Sequence, residues 1–315
     1  MNRIPVAISA CLTGATVRHD GGHKRSRYCT DVLEDYFDLK PVCPESEAGL
    51  GIPRPAMHLV ENQHGDPRLH IIRSGKDVTE PLEQWVHAAL PGLANMRGII
   101  LAAKSPSCGM ERVRVYNDEG HVARRDEAGI FARLLLQRYP LMPAEENGRL
   151  EDPRLRENFI ERVFLYDEWC SMRERGLTRA ALLAFHTEHK YQLLAHCQAT
   201  YGRLGPMLSD LRVQPLEQLA DTYIREFMEG MRKPISRGAH ANVMQHLMGF
   251  FRGKLDAVDR DTLQATINDY LAGQVPLVVP MTLLRAAGRK FPHPWVAKQR
   301  YLSPYPDALG LRNHL

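Results

Sequence analysis

The chain lacks an apolar run that could span a bilayer. A spanning helix needs roughly 20 consecutive apolar residues, and VPLVVPMTLL at 275–284 is short and broken by Pro280. A secretory leader is not expected either, because MNRIPVAISACLTG carries one arginine and only a brief apolar stretch; it reads as a first strand, with the cytoplasm as the expected compartment. Cysteine is too sparse for a disulfide scaffold. The six residues Cys11, Cys29, Cys43, Cys108, Cys170 and Cys197 are spread over 315 positions, so in a reducing compartment they are thiols or ligands. No internal repeat or low-complexity tract interrupts the chain, and no charge of one sign dominates it.

What is present is a globular composition, 44% hydrophobic and 25% charged, at a length that usually makes about two domains. Residues 1–150 carry 19 basic and 19 acidic side chains, and residues 151–315 carry 22 and 18, so the net +4 belongs to the second half. There, 231–254 and 285–300 contain Lys and Arg without any acid. Such clusters suit a polyanionic partner, or merely a solvated basic face.

The first half alternates. PVAISA (5–10), DLKPVC (38–43), RGIILAA (97–103) and, less clearly, RLHIIR (68–73) have strand length and apolarity. Between them lie the helical patterns TDVLEDYF opened by Thr30, VTEPLEQWVHAAL and RDEAGIFARLLLQRY. Strand and helix in alternation predict an α/β domain with an open, mostly parallel, Rossmann-like sheet. PLMPAEENGRLEDPR (140–154) is the expected boundary, giving domains 1–147 and 148–315. Beyond it, TRAALLAFHTEHKYQLLAHC, LEQLADTYIREFMEGM and ANVMQHLMGFFRG repeat at helical spacing, which predicts an all-α bundle of about six helices.

LAAKSPSCGM (101–110) puts Cys108 in a turn behind an apolar run. A thiol there can be a nucleophile, a ligand or a small buried residue. Cys11 and Cys43 also stand at or just past predicted strands, and open α/β sheets bind ligands along that edge. Three thiolates without a local CxxC are unusual for structural zinc but suit an iron-sulfur cluster with one iron free of protein ligands. Cys29, Cys170 and Cys197 fall in or beside helical patterns and are read as packing residues. Glu45, in CPESEAGLGIPRP with Gly49 and Gly51, is placed to act as a general base beside a Lewis-acidic metal, or is an ordinary capping or solvated acid. KSPSCG offers Lys104, Ser105, Ser107 and turn amides to an anion or a developing charge. RHDGGHKR (18–25) brings Asp20, Gly21 and Lys24 to the loop after the first strand.

CLTGATVRHDGGHK, VCPESEAGLGIPRP and KSPSCG, in this order over residues 4–145, resemble the thiouracil desulfidase family. The resemblance implies a compact α/β domain with an oxygen-sensitive 4Fe-4S cluster bound by Cys11, Cys43 and Cys108. It implies Glu45 as catalytic acid/base and Ser105 as its helper at the substrate. The implied reaction is non-redox: water activated by Glu45 replaces sulfur at a thiocarbonyl carbon, and hydrosulfide leaves. FHTEHK (185–190), LLAHC and YGRLG (201–205) resemble the YbgA-like helical domain often fused behind it.

RAAGRKFPHPWVAKQRYLSPYP (285–306) interleaves Arg289, Lys290, Lys298 and Arg300 with Phe291, His293, Trp295, Tyr301 and Tyr305. Cations among aromatics suit RNA, phosphate beside stacked base, although a tail packing its aromatics on the bundle has the same composition. His186, His189 and Lys190 share a helical face for phosphate, a metal or a domain interface. Three readings stay open: a desulfidase of 4-thiouridine in tRNA or of thiouridine nucleotides, a desulfidase of free thiouracil whose helical domain serves oligomerisation or regulation, and a non-catalytic cluster-containing sensor.

Overall fold

The computed structural model describes residues 3–209 and 215–315; Met1 and Asn2, at the start of the segment read as leading into the first strand, lie outside them. The chain divides into two compact units, Met1–Asp152 and Pro153–Leu315.

The first unit contains β1 (Ile4–Ser9), α1 (Arg27–Asp31), β2 (Phe37–Val42), α2 (Pro44–Glu47), β3 (Met57–Glu61), β4 (Pro67–Ile71), α3 (Thr79–Ala89), β5 (Ile99–Leu101), β6 (Val113–Tyr116), β7 (Val122–Glu127), α4 (Ile130–Arg138) and β8 (Ala144–Glu146). One sheet has the order β2-β1-β5-β8, all neighbours parallel. The two inner strands are buried almost throughout, as apolar runs covered on both faces must be. Lys40 and Pro41 fall on β2, at the edge, where a residue without an N–H costs least.

Three expectations need correcting. RLHIIR does not join the parallel sheet; it forms β4 of a second sheet, β4-β3-β6-β7, with two antiparallel pairs. RDEAGIFARLLLQRY is helical only from Ile130, its first residues lying in β7. VARR alternates half-buried and exposed there before Asp126 breaks the pattern, a short period of 2 that its charges disguise. Thr30 does not cap a helix over TDVLEDYF either. Its hydroxyl donates back to the Ser26 carbonyl inside the short α1, and a 3-10 turn at Leu33–Asp35 precedes β2.

The second unit is helical: α5 (Pro153–Glu174), α6 (Arg179–His196), α7 (Gln198–Ser209), α8 (Leu216–Gly230), α9 (Arg237–Gly249), α10 (Ala257–Leu271), α11 (Val278–Lys290) and α12 (Pro294–Ala297). Thr178, Ser236 and Asp256 cap α6, α9 and α10 through their side-chain oxygens, satisfying N–H groups that have no partner within the helix. Val243, Met244, Leu247, Phe251, Ile267, Leu284 and Tyr301 form the centre of one apolar cluster, each large side chain there worth about 1.5–3 kcal/mol of burial.

That cluster answers the question of the aromatic tail. Tyr301 and Tyr305 are buried, Phe291 packs against the cluster, and Trp295 stacks on Phe250 at 4.8 Å with Lys190 4.7 Å over its ring. These rings are core rather than free stacking platforms. Arg300 pairs with Glu168 and Lys290 with Asp259, whereas Arg289 and Lys298 are exposed. The FHTEHK face is likewise internal. His186 meets the Tyr223 hydroxyl at 3.2 Å, and His189 lies between the Phe185 ring and Glu168.

These buried imidazoles make the helical unit acid-sensitive. Burial, reinforced by Lys190, lowers the His186 pKa from its ordinary 6.5 to about 4, and burial, with Arg312, holds His240 well below the same value. The unfolded chain therefore binds protons that the native chain refuses. Stability is complete above about pH 6.5 and is lost as pH falls toward 4. Thermal melting followed by helical circular dichroism is expected to show a transition that drops across this window, with a shallower slope in His186→Gln; a flat wild-type profile would contradict it.

Candidate active site

Because β2, β1 and β5 are adjacent and parallel, their carboxyl ends open on one edge of the sheet. Cys11 sits in the 3-10 turn Ala10–Thr13 directly after β1. Cys43 follows β2 and occupies the N-cap position of α2, and Cys108 lies in the turn after β5. All three line one cavity of about 310 Å³, together with Arg18, Lys24, Glu45, Arg54, Lys104 and Ser105. Residues 32 and 65 positions apart in sequence thus meet through strand order alone.

The Cys108 turn is built tightly. Ser105 Oγ accepts from the amides of Ser107 (3.2 Å) and Cys108 (3.0 Å). Lys104 enters the turn at φ 64°, in the left-handed region, which a non-glycine residue adopts only at some cost. The carbonyls of Pro106 and Ser107 accept from Ile130 and Ala132, so the turn satisfies the open N–H groups at the start of α4. Gly129 makes that approach possible, since a Cβ there would lie 2.4 Å from the Ser107 carbonyl carbon. Gly129→Ala is expected to destabilise the chain by about 1–3 kcal/mol through overpacking and to disturb Cys108, measured as a lower denaturation midpoint together with lower iron retention; a wild-type midpoint would refute the packing argument.

Glu45 is clamped from two sides. Arg54 donates to its Oε2 from Nε at 2.9 Å and from Nη2 at 2.5 Å, and the Ser107 hydroxyl donates to Oε1 at 2.8 Å. Arg54 is itself fixed by the carbonyls of Val17 and Gly51, and the two side chains are only 5% and 12% exposed. A carboxylate offers about four acceptor positions; three are taken, and one remains for a molecule in the cavity. Arg54, within GLGIPRP, is a functional residue that the motifs alone do not single out. Its signal was a cation nine residues beyond the candidate acid, in a loop held by glycines with positive φ at 49 and 51.

Other expected site residues divide. Lys104 and Ser105 are in the cavity wall. Ser107, expected at the substrate, is fully buried and its hydroxyl is committed to Glu45, so it positions the acid instead. Asp20 and Gly21 are outside the lining: Asp20 accepts from the Gly22 amide and pairs with Arg18 in an open loop. Arg18, His19 and Lys24 of that loop reach the cavity in their place.

Burial raises the Cys11 thiol pKa, with Cys43 adding to the shift and Arg18 and Lys24 opposing it. Burial also raises Cys108, against a hydrogen bond involving Ser9. Among the described residues no three His, Cys, Asp or Glu side chains are grouped closely enough for a single metal ion. A polynuclear cluster does not need that grouping, because each thiolate meets a different iron. Three convergent soft donors, with His19 the one imidazole in the lining, fit such a cluster.

Residues 6–147 match the family model of 2-thiouracil desulfurase. Residues 190–306 match a protein family of unknown function, DUF1722. The uncharacterized protein YbgA of Escherichia coli (strain K12) is 32% identical over 161 residues, 51% of this chain and 95% of that protein, and the chain belongs to the YbgA family. Among solved structures, the [4Fe-4S]-dependent thiouracil desulfidase TudS is 30% identical, covering 48% of this chain and 95% of its own, with a TM-score of 0.39. The described residues contain no helix long and apolar enough to cross a membrane.

Proposed function

We propose that the chain is an iron-sulfur-dependent desulfidase that cleaves the C–S bond of a thiolated uracil, replacing sulfur by oxygen and releasing hydrosulfide without net redox change. The observation that carries this reading is the convergence of Cys11, Cys43 and Cys108 with the clamped Glu45 in one cavity, in a segment that matches 2-thiouracil desulfurase.

Cys11, Cys43 and Cys108 would hold the 4Fe-4S cluster, which supplies a thiophilic Lewis acid. Glu45 takes a proton from water at its remaining acceptor position and returns one to the product. Arg54 and Ser107 keep the carboxylate from rotating away. Lys24, Lys104 and Arg18 make the cavity cationic, which favours negative charge developing on the ring oxygen or nitrogen. Ser105 orders the turn amides along the same wall.

In its finer form the substrate is 4-thiouridine in tRNA. Supporting that form are the exposed cations Arg289 and Lys298 of the helical unit, a contribution of charge rather than of stacking. Anaerobically reconstituted protein is to be incubated with free 4-thiouracil and with bulk tRNA while thiocarbonyl absorbance is followed. Loss on the base supports the desulfidase reading, and loss on tRNA as well supports the finer form. Loss on the base alone sinks the tRNA form; no loss on either sinks both.

A further inference from the structure

Ser9 is the last residue of β1, a polar side chain only 4% exposed at the carboxyl edge of the sheet. It lines the same cavity as Cys108, which is itself 7% exposed. The register pairs Ala7 with Ile99 and Ile8 with Ile100, and just past that pairing the Ala102 amide donates to Ser9 Oγ at 3.0 Å. This bond anchors the hydroxyl oxygen as an acceptor. A hydroxyl also has one proton to give, and here it goes to the Cys108 sulfur: burial raises the Cys108 thiol pKa, and the hydrogen bond from Ser9 opposes that rise.

The three cavity cysteines differ in how their sulfurs are supported. Cys43 Sγ donates to the Val17 carbonyl at 3.8 Å, a bond that a thiolate cannot make. At Cys11, burial and Cys43 raise the thiol pKa, and the charges of Arg18 and Lys24 oppose them. Cys108 instead has a neutral donor, held at the junction of two parallel strands. A buried anion is costly unless it is hydrogen-bonded, so the hydroxyl lowers the cost of keeping this sulfur as a thiolate. It also draws electron density from the sulfur, and hydrogen bonds to the sulfurs help to set the potential of an iron-sulfur cluster.

We propose that Ser9 is a positioning residue for the cluster: its hydroxyl, anchored by the Ala102 amide, donates to the Cys108 thiolate, holds that sulfur in the cavity wall and raises the reduction potential of the iron-sulfur group bound there. A less electron-rich cluster is also the stronger Lewis acid. This role rests on the iron-sulfur reading of Cys11, Cys43 and Cys108, and it gives a residue outside the ligand set a part in the site.

The test uses the full-length chain, reconstituted anaerobically with iron and sulfide, as wild type, Ser9→Ala and Ser9→Thr. Iron and sulfide content, a redox titration followed by electron paramagnetic resonance, and the rate of iron release to a chelator are measured on each. Ser9→Ala is expected to shift the reduction equilibrium about tenfold toward the oxidised cluster, about 59 mV for one electron, and to release iron about tenfold faster. Ser9→Thr keeps the hydroxyl and is expected to match wild type in both. Ser9→Ala also takes the acceptor from the Ala102 amide, so it is expected to melt earlier; a merely structural role for Ser9 moves that melting and nothing else. An unchanged potential and unchanged iron release in cluster-loaded Ser9→Ala therefore overturn the proposal and leave the cluster reading standing. If Ser9→Ala loads no iron, Ser9→Thr decides: a cluster of wild-type potential supports the role of the hydroxyl, and a shifted or missing cluster overturns it. A wild-type chain that binds no iron and sulfide overturns this proposal and the desulfidase reading together.

Discussion

Glu45→Gln is expected to lower turnover of a thiolated uracil by about 10²–10⁴-fold, the usual contribution of a positioned acid/base. The substitution keeps size and most contacts but removes the charge that takes the proton. It also removes the partner of Arg54, which is almost wholly buried beside it. Breaking one side of a buried ion pair costs about 3–5 kcal/mol, so the variant is expected to melt earlier as well. The two effects separate by assaying below the variant's transition, where the chain is folded. Arg54→Lys retains a cation but loses the two-pronged grip on Oε2, and is expected to lose activity with a milder stability loss. Full activity in folded Glu45→Gln would remove Glu45 from the chemistry.

The second large effect concerns the thiols. Cys11→Ala, Cys43→Ala and Cys108→Ala are each expected to reduce bound iron and acid-labile sulfide to a small fraction of wild type and turnover to the blank. Cys170→Ala and Cys197→Ala are expected to keep both, since Cys197 belongs to the helical unit, where it accepts from Thr200, and neither lines the edge cavity. The pattern discriminates between roles for Cys108. Were it a lone nucleophile, Cys11→Ala and Cys43→Ala would remain active and iron-free protein would work. Buried, with its thiol pKa raised, Cys108 is a poor free nucleophile at neutral pH, whereas a metal takes the thiolate directly.

Much of the edge site was legible because its logic is topological. Short apolar runs ending in cysteine specify parallel strands whose carboxyl ends converge, and Cys11, Cys43 and Cys108 line one cavity for that reason. The second sheet was not legible: β4 has one buried residue among half-buried ones, and β7 is rich in charge with no buried residue, so neither shows apolar contrast of period 2. Ser105 and Ser107 are two residues apart in one turn, and only side-chain direction separates the wall residue from the one that holds Glu45. The aromatic tail misled for a compositional reason. Cations and rings interleave in RNA-binding surfaces, and they interleave equally where long basic side chains lie over a packed aromatic seam, as Lys190 does over Trp295. The buried histidines belong to the same lesson, since Phe185 and Glu168 around His189 come from two different helices.

The most direct test of the central claim is a single-turnover assay of the full chain, reconstituted anaerobically with iron and sulfide, in which 4-thiouracil disappearance and hydrosulfide release are followed together. The account predicts one hydrosulfide for each thiocarbonyl lost, no reductant requirement, and abolition of both signals when iron is chelated. Undiminished turnover by the chelated, iron-free protein would contradict it.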